Sequence, residues 1–193
     1  MFTGIINYLG KVKTKSKGKL EIECSSDLIN KLSEGVSISV DGICLTVVGI
    51  KESYFEVDFI METESRTNIK YLKVGDLINL ELPATPATFL SGHIIQGHID
   101  GVAKLENKTK NGNSYLLKFS ILKSLSKYIV EKGSIAVNGI SLTIIEAGKD
   151  YFTVGIIPHT LEKTMLQTLK VGEFVNIEVD ILAKFMERLL KND

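Results

Sequence analysis

Cys44 and Ser141 are the two positions where an otherwise apolar run carries a nucleophile, in DGICLTVVGI (41–50) and NGISLTIIEA (138–147). Thr46 and Thr143 follow two residues on, hence on the same face of a strand. A thiol or hydroxyl beside a second hydroxyl makes a ligand wall, while a small buried core residue is the competing reading. No histidine or aspartate is tied to Cys44 by spacing, so the sequence supports no nucleophilic triad there. The only histidines are His93, His98 and His159, and a neutral imidazole is the side chain best placed to move protons near neutral pH. His93 and His98 are five apart, on opposite faces of a strand or about 140° apart on a helix. Neither arrangement clamps a metal and no paired cysteines are present, so structural zinc is not expected. Asp180 ends VNIEVD, where a carboxylate caps a following helix or fixes a ligand. METESRT (61–67) and PHTLEKT (158–164) share Thr63/Thr160, Thr67/Thr164 and the cationic pair Arg66/Lys163. They read either as hydroxyl-rich contacts for a polyol or phosphate, or as capped loops.

Positioning these groups falls to a duplicated scaffold. At an offset of 97, residues 36–81 match 133–178 at 19 of 46 positions, where about three would match by chance. The same offset carries Asn79 and Glu81 onto Asn176 and Glu178, LKVGD (72–76) onto LKVGE (169–173), and Gly4 onto Gly101. Gly35 pairs with Gly133 only at an offset of 98, which predicts a one-residue change in a turn or bulge. Two copies are too few for a solenoid. The joint, SGHIIQGH, is no flexible linker, so two closely joined domains are expected, 1–93 and 94–181. Each copy reads as strands: β-branched runs, the alternating YFEVDFI, and the turn dipeptides DG (41–42) and NG (138–139). Short strands at this spacing predict small closed barrels. SDLINKLSEG (26–35) and SLSKYIVEKG (124–133) predict one short helix each, the first capped by Ser26 and ending at Gly35. At the end of the chain, Leu182, Phe185, Met186, Leu189 and Leu190 follow the i, i+3, i+4, i+7, i+8 stripe. That helix must pack on its own barrel or on a second copy.

Composition removes several classes. Lys plus Arg and Asp plus Glu total 23 each, which removes the strongest argument for nucleic acid or an anionic membrane. Two cysteines in 193 residues are no disulfide scaffold. The first residues lack the pattern of a secretory signal, and no apolar stretch is long enough to span a bilayer. A cytoplasmic protein is expected. No Rossmann, P-loop or hydrolase-elbow signature occurs. The basic run KVKTKSKGK (11–19) reads as a solvated loop.

MFTGII, DGICLTV, NGISLTI, SGHIIQGHIDG and IPHTLEKT together resemble the riboflavin synthase alpha-chain family over essentially the whole chain. The resemblance implies an all-β fold of two duplicated six-stranded Greek-key closed barrels plus a C-terminal helix from 182. It implies a homotrimer assembled through those helices, with each active site between the N-terminal barrel of one chain and the C-terminal barrel of a neighbour. The implied reaction is the dismutation of two 6,7-dimethyl-8-ribityllumazine molecules to riboflavin and 5-amino-6-(ribitylamino)uracil, without metal or organic cofactor. An association with lumazine synthase is left open. Matched residue by residue, the resemblance puts Phe2, Cys44, His98, Ser141 and Asp180 at the chemistry. Thr46, Thr63, Thr67, His93, Lys132, Thr143, Thr160 and Thr164 fall to substrate binding. The sequence departs from the family pattern at Leu82, Ser91 and Glu64 and through LPATPAT (82–88). Such departures suit a non-catalytic lumazine- or flavin-binding relative, the alternative reading. Those relatives tend to lose the cysteine and the joint histidines, whereas Cys44, His93 and His98 are kept, which favours the enzyme.

Overall fold

Asp41–Gly42 and Asn138–Gly139 take positive φ at both central residues, the backbone of a tight hairpin turn whose twist matches its strands. Each turn joins two strands of a six-stranded barrel in a computed structural model that describes residues 1–191. The first barrel comprises β1 (Tyr8–Ser16), β2 (Lys19–Glu23), β3 (Ser37–Val40), β4 (Ile43–Ile50), β5 (Tyr54–Asp58) and β6 (Leu77–Glu81). The second comprises β7 (Gly101–Asn111), β8 (Ser114–Ser120), β9 (Ser134–Val137), β10 (Ile140–Ala147), β11 (Tyr151–Ile156) and β12 (Phe174–Val179). The first closes in the order β1-β2-β5-β4-β3-β6 and the second as β7-β8-β11-β10-β9-β12, the same antiparallel circuit. Closure leaves no free sheet edge. Each barrel buries its own core. Phe55, Leu20, Ile38 and Leu80 are among the side chains filling the first, and Phe119, Phe152, Leu105 and Ile177 among those filling the second.

The copies match in detail. Both carry a bulge in the first strand, at Val12/Thr14 and Leu105/Asn107, and another at Val47/Gly49 and Ile144/Glu146. The expected slip at Gly35 is absent. Gly35 and Lys132 occupy the same place: the Gly35 N–H donates to Val47 O and the Lys132 N–H to Ile144 O, both at 2.8 Å, and both have positive φ. A lysine there replaces the glycine without moving the backbone, so the apparent Gly133 match is coincidental. The true change of offset lies in the first hairpin. Lys15 and Lys108 both donate from Nζ to paired carbonyls, of Ile69 and Leu72 and of Leu166 and Leu169. They are 93 apart, because the β7–β8 hairpin carries the extra pairs Lys110–Tyr115 and Asn111–Ser114.

The helices differ from expectation. α1 (Ser26–Ile29) is a single turn capped by Ser25, not a helix reaching Gly35. Its counterpart is a 3-10 helix, Lys123–Tyr128. Unforeseen are α2 (Met61–Arg66) and α3 (Pro158–Lys163), on the segments read as loops; proline in the first turn of α3 suits a helix start. KVKTKSKGK is the first hairpin rather than a loop, with Val12 alone turned inward. The terminal helix α4 (Ile181–Leu190) forms as expected and is capped by Asp180, whose Oδ1 accepts the Leu182 N–H at 2.9 Å. It holds the barrel by its polar side: Lys184 pairs with Asp100 at 2.6 Å, and Glu187 accepts from Lys127 and Tyr128. Its apolar stripe faces outward, Leu189 being 70% exposed. Packing on its own barrel is thus not the arrangement adopted.

Between the barrels runs a buried polar seam. Asn79 Nδ2 donates to Asn138 O at 2.9 Å, and Asn176 Nδ2 to Asp41 O at 2.8 Å. Their Oδ1 atoms accept the N–H of Met165 and of Asn68, at 2.7 and 2.6 Å. Gly42 and Gly139 abut so closely that a Cβ on either would lie under 3 Å from the other's backbone. The two turns are therefore both hairpin ends and the contact on the pseudo-twofold axis.

Candidate active site

In β4 the residues Ile43, Leu45 and Val47 point into the barrel, so Cys44, Thr46 and Val48 lie on its outer face. β10 repeats the pattern, with Ser141, Thr143 and Ile145 outside. The candidate ligand walls are thus barrel exteriors, lined by one nucleophile, one hydroxyl and one β-branched side chain each.

The segments that precede each barrel complete them, and they do so crosswise. Phe2 and Ile95 exchange backbone hydrogen bonds at 2.7 and 3.1 Å, a two-residue antiparallel bridge between residues 1–6 and 94–99. Beyond it, the Ser141 N–H donates to Gly4 O at 2.9 Å and the Cys44 N–H to Gly97 O at 3.0 Å. The leader of the first barrel therefore lies on the nucleophile of the second, and the reverse. Gly4 and Gly97 have φ of +80° and +83°, and a Cβ on either would come within 2.7 Å of the serine or cysteine it covers. Structurally Gly4 corresponds to Gly97, so the expected match with Gly101 is corrected by four residues.

The two histidines divide between the sites. His93 Nδ1 lies 2.7 Å from Ser141 Oγ, and the His93 N–H donates to Thr3 O at 3.2 Å. Burial lowers the His93 pKa, and the charge of Asp180 opposes that shift. A serine hydroxyl and a partly buried imidazole meet here, and the charge of Asp180 acts on that imidazole, an arrangement able to move a proton or activate the hydroxyl. His98 follows Gly97, which packs on Cys44; its imidazole is exposed. His159 lies in α3, away from both pairings. Phe2 is buried with Ile95 and Ala136, and Cys44 packs against this small cluster. Phe2 is therefore a buried wall behind Cys44.

Thr67 and Thr164, expected to bind substrate, lie at the ends of α2 and α3. Each is buried and donates its hydroxyl to the carbonyl four residues back, of Thr63 and Thr160, at 2.7 Å. Lys132 is exposed beside the turn that starts β9. Missed at the sequence level were Glu81 and Glu178, both buried, each accepting backbone N–H groups of a leader segment. A charge kept in both copies of an apolar strand was their signal. No group of three or more metal-ligating side chains and no membrane-length helix occurs among the described residues.

Two outward-facing sites on tandem, pseudo-symmetric barrels define a class, and the lumazine binding domain family matches the chain twice, over residues 3–83 and 96–180. The chain is 40% identical to the riboflavin synthase of Photobacterium phosphoreum over all of its own length and 90% of that protein. It is 38% identical to the riboflavin synthase of Mycobacterium bovis over all of its length and 99% of that protein. A solved structure of LumP complexed with riboflavin superposes with a TM-score of 0.87 at 30% identity, covering 93% of this chain and 99% of that one. LumP complexed with 6,7-dimethyl-8-(1'-D-ribityl)lumazine gives 0.85 at 28%, with the same coverage. The chain belongs to the riboflavin synthase family, and it is an enzyme of that family.

Proposed function

We propose that this chain converts two molecules of 6,7-dimethyl-8-ribityllumazine to riboflavin and 5-amino-6-(ribitylamino)uracil by moving a four-carbon unit from one to the other. The observation that carries the reading is the pair of unlike sites, thiol at Cys44 and histidine-bonded hydroxyl at Ser141, on one duplicated scaffold. Two identical substrates call for two similar sites, and a donor and an acceptor call for unlike ones. The atoms of two substrates balance those of both products, so the transfer needs no outside oxidant. The C7 methyl is acidic because its carbanion delocalises into the ring. The chain then has to hold two rings face to face and supply a base and a nucleophile. His98 is the candidate base; Cys44, and Ser141 with His93 and Asp180, are the candidate nucleophiles. Thr46, Thr63, Thr143, Thr160 and Lys132 are offered for substrate contact. The exposed stripe of α4 joins three chains, setting an N-terminal barrel (1–93) against a neighbour's C-terminal barrel (94–181), in the cytoplasm.

A second reading, a non-catalytic lumazine or flavin carrier, is favoured by the LumP likeness. Riboflavin formation from the lumazine after EDTA treatment, with no nucleotide added, separates them. Turnover is expected. Tight lumazine binding without flavin would establish the carrier.

A further inference from the structure

Glu81 and Glu178 are 4% and 3% exposed, yet neither forms an ion pair among the described residues. Instead each carboxylate gathers donors from a leader segment. Glu81 Oε1 accepts the Thr3 N–H and hydroxyl, both at 2.7 Å, and Oε2 the Gly4 N–H at 3.0 Å. Glu178 Oε1 accepts the Gln96 N–H at 2.7 Å, and Oε2 the Gly97 and His98 N–H groups at 2.9 and 3.1 Å. Successive N–H groups turned to one side form an anion-binding concavity, and charge-assisted bonds of this kind are the strong ones.

What the clasped segments do next gives the carboxylates their role. The segment held by Glu81 offers Gly4 O to the Ser141 N–H and Thr3 O to the His93 N–H. The segment held by Glu178 offers Gly97 O to the Cys44 N–H and carries His98 itself. We infer that Glu81 and Glu178 are crossed positioning residues: each belongs to one barrel and sets the nucleophile and the histidine at the site of the other. Neither touches a site face. The glutamate of β12 governs Cys44 on β4, and the glutamate of β6 governs Ser141 on β10. A shift of either barrel's last strand is thereby passed to the opposite site, which couples the two halves of a reaction that needs both. The inference rests on the proposed function only for its effect on turnover.

The crossing makes it testable on the full chain. Glu178→Gln puts an amide NH2 against N–H donors and should release Gly97 from Cys44. Alkylation of Cys44 by iodoacetamide, read by peptide mass spectrometry, is expected to quicken about fivefold or more in Glu178→Gln and to stay within about twofold of wild type in Glu81→Gln. Cys24, in the same chain, serves as the control and should not change. Where Glu178→Gln does not fold, Glu178→Asp, which keeps the charge and withdraws it by one methylene, should show the same preference. With the lumazine as substrate, kcat of the Glu178 variant should fall about tenfold while riboflavin affinity stays within about twofold. A purely structural glutamate would loosen its own barrel instead. Faster alkylation in Glu81→Gln alone, equal acceleration in both, or none in either Glu178 variant overturns the inference. The alkylation result stands whether or not the chain makes riboflavin.

Discussion

The N-terminal and C-terminal barrels share every strand pairing and both bulges, and Thr46/Thr143 and Glu81/Glu178 are kept in both, yet the nucleophile at the centre of each site differs in kind. Cys44 faces Gly97 where Ser141 faces Gly4 and bonds His93. At the seam Asp41 stands where the second copy has Asn138. At the turn before the third strand Gly35 stands where it has Lys132. Duplication has preserved what closes a barrel, because a one-residue slip would turn every core side chain outward. It has let go of single side chains that change charge, proton affinity or backbone freedom. The differences are the places where the two halves are chemically unlike.

The largest effect should come from making the seam symmetric. Asp41 is fully buried and accepts the Asn79 N–H at 2.8 Å and Asn68 Nδ2 at 2.9 Å, with no cation partner among the described residues. Burial pushes its carboxyl up to about 7, against the pull of those two hydrogen bonds. A raised carboxyl pKa adds stability that is complete below the ordinary value near 4 and is lost as pH rises through about 7. Asp41→Asn removes that titration. Between pH 5.5 and 8.5 the wild type should therefore lose roughly 2 kcal/mol relative to the variant, about one and a half pKa units. Urea unfolding of both proteins at the two pH values measures this. An unchanged difference would mean that Asp41 is already ionised at the lower pH.

Next in size is the chemical difference between the sites. Cys44→Ser gives the first barrel the hydroxyl of the second, and Asp180→Asn keeps the helix cap at Leu182 while removing the charge near His93. Each should slow turnover about tenfold or more, roughly 1.4 kcal/mol in barrier, and leave riboflavin affinity nearly unchanged. Nucleophilicity and charge act as the transition state develops, whereas ground-state shape is conserved. Single-turnover rates beside riboflavin titrations decide it. Matched losses in rate and affinity would return both residues to an architectural role.

How much of this was legible in the sequence depends on how local the determinant is. β4 and β10 could be read because their apolar alternation and their DG and NG turns lie within a dozen residues. α2 and α3 could not, since six residues are under two turns and show no helical period. In β1 a lone inward Val12 among lysines looked like a solvated loop until its partner Ile22 was in place. For the site, the repeat located Cys44, Ser141 and their threonines. The bond between Ser141 and His93, 48 residues apart, depends on a leader crossing to the opposite barrel, and no spacing rule encodes a crossing. The bonds of Thr67 and Thr164 were not legible either, because a hydroxyl suited to a ligand is equally suited to a carbonyl one turn back.

The smallest effect concerns the turn where the copies differ in backbone freedom. Gly35 at φ +86° and Lys132 at φ +64° make the same hydrogen bond to the fourth strand of their barrels. A residue with a Cβ pays about 1–2 kcal/mol in this left-handed region, which glycine does not. Glycine in turn gives the unfolded chain about 0.4–1 kcal/mol more entropy to lose. The first exceeds the second, so Lys132→Gly should stabilise the protein by roughly 0.5 kcal/mol. Gly35→Lys should destabilise by a similar amount, since the site is sterically open and only the φ is unfavourable. The Lys132 ammonium makes no hydrogen bond or ion pair among the described residues, which is the ground for the substrate contact proposed for it. Lys132→Gly should therefore trade the two properties, raising the urea midpoint while weakening riboflavin binding severalfold. Higher stability with unchanged affinity would leave Lys132 outside the binding site, and lower stability would show that the turn relaxes its lysine without strain.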